Sequence, residues 1–69
     1  MRALFHLNGS EEVEVEPCPS GKGVFVRVIN CAPDVNRPEG VRHVERELSL
    51  LKSEARAIAS AMMGCAAEV

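Results

Sequence analysis

The chain has no tryptophan, no tyrosine and two phenylalanines among its 69 residues. No large aromatic anchors its core, and a chain this short buries only a small share of its surface. It has one aspartate, Asp34, so serine, histidine and aspartate are present without any spacing that arranges them as a triad. It has no close cysteine pair. Cys18, Cys31 and Cys65 stand 13 and 34 residues apart, and His6 and His43 are isolated. Structural zinc sites bring their ligands in tight pairs, so no metal is expected. A strand between Cys18 and Cys31 would hold them about 25 Å apart. There is no glycine-rich phosphate loop. Gly21-Lys22 has Glu16 where that motif needs its first glycine and Gly23 where it needs serine or threonine. Together these gaps predict a chain that is not an enzyme and carries no cofactor.

Basic excess is also missing. Ten acids outnumber eight bases, for a net charge of −2. Direct nucleic-acid binding through Arg37, Arg42, Arg46, Lys52 and Arg56 is disfavoured by the acids between them. No apolar run approaches membrane-spanning length. The run at Met1–Leu7 is broken by His6 and is too short for a signal peptide. A cytoplasmic location is expected, with the cysteines as thiols.

What is present describes a folded domain. Apolar residues make up 46% and charged residues 26%, an ordinary balance for one globular unit spanning 1–69. A core this small is usually completed by a metal, a disulfide or a second subunit. With the first two unsupported, a homodimer is the default expectation.

Ala3–Leu7 reads as a short strand and Asn8-Gly9 as a hairpin turn. Glu12–Glu16 alternates strictly, which predicts a half-buried strand with Val13 and Val15 inward. Two registers compete. A two-residue turn pairs Leu4 with Val13. A three-residue loop closing at Gly9 or Ser10 sets Ala3 and Phe5 on the face of Val13 and Val15, and it is favoured because it buries the larger side chain. Pro17–Gly23 is a turn by composition. Gly23–Asn30 is apolar on both faces and predicts a central strand. Cys31–Gly40, with two prolines, reads as the longest loop.

Residues 41–50 admit two readings. Val41, Val44, Leu48, Leu51, Ala55, Ile58, Met62 and Cys65 form an unbroken heptad series, which would make one long helix that pairs with its copy. Val44, Leu48 and Leu50 also alternate with polar neighbours, as a fourth strand would. The long helix would place Arg42 four residues before Arg46 and run about 40 Å, far beyond the short strands. Strand followed by helix is preferred, with the helix starting between Ser49 and Ser53 and ending near Gly64. The expected fold is α+β: a small antiparallel sheet of three to four strands with one C-terminal helix packed on one face (β-β-β-β-α).

Two surfaces stand out. Glu11, Glu12, Glu14 and Glu16 lie within six residues, and the last three share one strand face at intervals of about 6.7 Å. Such a stripe either pairs with Arg27, Lys22 and Arg2 across the sheet or is offered to a basic partner. Phe25, Ile29 and the off-stripe Met63 are candidate contacts for a partner or a second copy.

A very small, mildly acidic α+β chain with this glutamate strand and the Leu51–Cys65 helix resembles the small phage-encoded inhibitors of the anti-CRISPR type. The resemblance lies in general character and implies a protein-binding module that occupies a basic nucleic-acid-binding surface of a CRISPR effector or similar complex. The alternative expectation is a small structural or accessory homodimer.

Overall fold

Alternation of valine with glutamate, and then of apolar with charged residues, builds four strands that pair in chain order. In a computed structural model that describes all 69 residues apart from the side chain of Glu39, β1 (Ala3–His6), β2 (Glu11–Pro17), β3 (Gly23–Asp34) and β4 (Arg37–Leu51) precede α1 (Lys52–Ala67). The sheet is an antiparallel meander of order β1-β2-β3-β4. The expected β-β-β-β-α order is therefore the observed one, and residues 41–50 are strand.

The first hairpin takes the favoured register, with Ala3 opposite Val15 and Phe5 opposite Val13. Its connection is the three-residue loop anticipated, Asn8, Gly9 and Ser10. The Leu7 amide closes it by donating to the Glu11 carbonyl at 2.9 Å.

The segment read as the longest loop is instead a β-hairpin arm. β3 continues to Asp34 and β4 begins at Arg37, with Ala32 opposite Val41 and Asp34 opposite Arg37. The prolines misled the reading because proline is excluded only where its missing N–H would donate to a neighbouring strand. Pairing between β2 and β3 stops at Glu11 and Asn30, so the arm is a two-stranded ribbon with free edges, where proline is tolerated. Pro33 falls at a register shift between Ala32 and Asp34. Asp34 Oδ1 accepts from the Asn36 amide at 2.8 Å and closes the tip. Gly40 is required there: its φ is +80°, and an added Cβ would lie 2.7 Å from the Ala32 carbonyl oxygen.

The helix follows β4 with no intervening loop. Glu54 Oε1 accepts from the Leu51 amide at 2.8 Å, which ties down the first turn and sets the direction in which the helix leaves the strand. Gly64 does not end it. The helix runs on to Ala67, because the flanking alanines offset one glycine.

The sheet has two unlike faces. Val13, Val15, Val24, Val26, Leu48 and Leu50 lie on the one that looks toward α1. Glu12, Glu14, Glu16, Arg27, Ile29 and Phe25 share the other. Among the described residues the only buried apolar side chain is Ile29, 4% exposed, and it sits on the charged face. No residue of α1 is buried. The result is a slab of 42 × 36 × 18 Å with a radius of gyration of 14.4 Å, against about 11 Å for a compact chain of this length. Its accessible surface is 5545 Å², where a compact monomer of this mass exposes about 4,200 Å².

Candidate functional site

The charged face is built from the glutamate strand outward. Three carboxylates on one side of β2 repel one another unless cations separate them. Arg27, opposite Glu14 on β3, supplies the central cation. Its Nη1 donates to Glu14 Oε1 at 2.8 Å and to Glu16 Oε1 at 2.7 Å, and its Nε donates to Glu47 Oε2 at 2.6 Å. Arg2 reaches Glu14 from the β1 side, with Nε donating to Oε2 at 2.7 Å. Glu12 is held by His6, whose Nδ1 lies 2.9 Å from Oε2, and by Arg42, whose Nη2 lies 2.9 Å from Oε1. The Cys31 thiol donates to the same Oε1 at 3.3 Å.

These contacts shift the titration of the groups that make them. The Cys31 thiol, followed by the Arg42 guanidinium, holds the Glu12 carboxyl below the usual carboxylate range. Arg2, followed by Arg27, does the same for Glu14. Burial and then the Glu12 carboxylate push the Cys31 thiol upward. The Cys18 thiol, beside Ser20 Oγ at 3.1 Å, is lowered by that contact.

The acidic residues singled out in the sequence are thus brought together but differently occupied. Glu12 and Glu14 are 6% and 7% exposed, covered by the arginines that neutralise them. Glu16 is half-buried on Arg27. Only Glu11, at the start of β2, stands exposed. Four carboxylates (Glu12, Glu14, Glu16 and Glu47) face three guanidiniums (Arg2, Arg27 and Arg42) in these contacts, so the face is close to neutral.

The three apolar candidates separate. Ile29 lies between Glu12 and Val44 in the middle of the sheet and, 4% exposed, leaves almost no surface for a partner. Phe25 is half-buried with the Arg27 guanidinium over its ring, 5.3 Å from the centroid. Met63 is 73% exposed, but it does not line the helix–sheet gap.

That gap is the feature the sequence reading missed. The six valines and leucines of the inner sheet face form its floor, and Ala55, Ile58, Ala59 and Met62 form its wall. It is an open cleft of about 390 Å³ with no ionisable side chain in its lining. The periodicity places Ala55, Ile58 and Met62 on one stripe of a helix packed on the sheet. Ile58 and Met62 are nevertheless 45% and 67% exposed. The signal was the shortage of aromatics: alanine and valine on facing surfaces leave space that a phenylalanine or tryptophan would fill.

Chemically, the cleft offers an apolar surface from which a docked group would exclude water. Among the described residues there is no group of three or more histidine, cysteine, aspartate or glutamate side chains that would hold a metal ion. Among the described residues no helix is long and apolar enough to cross a membrane. The chain matches no protein-family model, and comparison with curated proteins and with solved structures likewise finds no match.

Proposed function

We propose that the chain is a non-enzymatic protein-binding module that docks through its apolar helix–sheet cleft. One observation carries this reading: the valine and leucine face of the sheet is no more than half-buried, Ile58 and Met62 above it are exposed, and among the described residues a single apolar side chain is buried. Apolar surface left in this state drives association with another polypeptide. The inhibitor character implied by the anti-CRISPR resemblance relied on free carboxylates for a basic surface. Glu12 and Glu14 are already engaged by arginines of their own chain, which favours apolar docking over charge mimicry.

The test is recovery of the tagged chain from its native cells together with whatever it holds, including untagged copies of itself. The wild type is compared with Ile58→Glu and with Glu11→Lys, at low and high salt. Apolar docking predicts that Ile58→Glu empties the complex, and that neither salt nor Glu11→Lys does. A complex lost with salt and with Glu11→Lys, but kept by Ile58→Glu, would replace this reading with the acidic strand.

A further inference from the structure

We infer that the occupant of the cleft is a second copy of the same chain, related by a two-fold axis that sets the helix stripe of each subunit on the valine face of the other. The inference rests on the docking reading above and names its partner.

The first argument is area. The chain exposes about 1,300 Å² more than a compact monomer of its mass. That excess is shared by the cleft, the hairpin arm and the termini, so covering it on two copies removes at most about 2,600 Å² in total, a ceiling that reaches the size of obligate homodimers. Such interfaces resemble a domain core cut in half, and a sheet face with a loosely covering helix has that composition.

The second argument is supply. A chain with one buried apolar side chain among its described residues lacks most of the stabilisation that burial gives a folded domain. Its partner must therefore be present whenever the chain folds. A second copy meets that condition without exception.

The third argument is complementarity. A two-fold interface uses the same patch twice, so the patch must fit itself. Here the valine floor and the Ile58–Met62 wall are both apolar, with no charged side chain in their lining. With a net charge of −2, two copies repel weakly. The helix cannot close the gap by folding further onto its own sheet through a hinge, because β4 passes into α1 at Leu51–Lys52 with no loop and the Glu54–Leu51 bond fixes the turn.

The experiment uses the purified full chain. Its mass is measured by sedimentation equilibrium over a hundredfold range of concentration, and binding of the apolar dye 1-anilinonaphthalene-8-sulfonate is followed in the same samples. The expected result is twice the chain mass of 7.5 kDa with little dye bound. Ile58→Glu should shift the population to monomer by at least tenfold in dissociation constant, with far-ultraviolet circular dichroism reporting whether the variant remains folded. If it unfolds, the wild-type mass still decides. A folded wild-type monomer that binds the dye overturns the second-copy inference and leaves the cleft open to a different polypeptide. A folded monomer that binds no dye overturns both, because the helix would then have closed over its own sheet.

Discussion

Arg27 bonds to Glu14, Glu16 and Glu47 at once and carries Phe25 against its face. Its own proton is held more firmly than usual, first by Glu16 and then by Glu47 and Glu14. Arg27→Gln removes the shared cation from three carboxylates, whereas Arg42→Gln removes one of the groups that hold Glu12. Arg27→Gln is therefore expected to lower the urea midpoint more than Arg42→Gln, as equilibrium denaturation will show. The pH dependence has a definite sign. Glu12 and Glu14 bind protons less readily in the folded chain than in the unfolded one. Their contribution is present above the unfolded carboxyl value of about 4.3 and is lost as pH falls through the lower folded values. The denaturation midpoint should drop below about pH 4.3, and the Glu12→Gln/Glu14→Gln double variant should flatten that drop. Equal slopes in the two proteins would remove these carboxylates from the account.

Two glycines separate the demands of strand and helix. Gly23 opens β3 opposite Leu51, and a Cβ there would lie 2.1 Å from the Leu50 carbonyl oxygen. Gly23→Ala must push β4 away, with an expected loss of about 1–3 kcal/mol. Gly64 lies inside α1 with nothing within 4 Å of a built Cβ. Gly64→Ala should raise stability by about 1 kcal/mol, measured by thermal or urea unfolding. The opposite signs come from the neighbours and not from the residue type. The hairpin arm makes the same point: Pro33 and Pro38 spoke for a loop, and the free edges of a two-stranded ribbon made them compatible with pairing.

The molecule as a whole is a slab whose two faces follow different chemistry. Ionic contacts organise one and apolar contact the other. If two copies complete one core, unfolding is coupled to dissociation, and the melting temperature must rise with protein concentration. Each tenfold increase should add about 1.4 kcal/mol to the apparent stability of the dimer. A melting temperature independent of concentration, measured by calorimetry, would place the stabilising contacts within one chain.

Strict alternation in Glu12–Glu16 and the two-sided apolar run from Gly23 were enough to determine the sheet and its central strand, whereas the first register was favoured on the burial of Phe5, which is 54% exposed in the register observed. The sheet and its central strand depend on period, which a linear pattern carries in full. The Leu51–Met62 stripe likewise determined a one-faced helix. Sequence period cannot say how far a helix stands from the sheet it faces, or which cation meets which carboxylate. Those follow from the angle at the Leu51–Lys52 junction, the cross-strand register and the volumes of facing side chains. Tertiary structure therefore decided that Glu12 and Glu14 are enclosed by Arg2, Arg27 and Arg42, and that the valine face is left open. Both outcomes depend on distances between residues far apart in the chain, which the pattern along it does not encode.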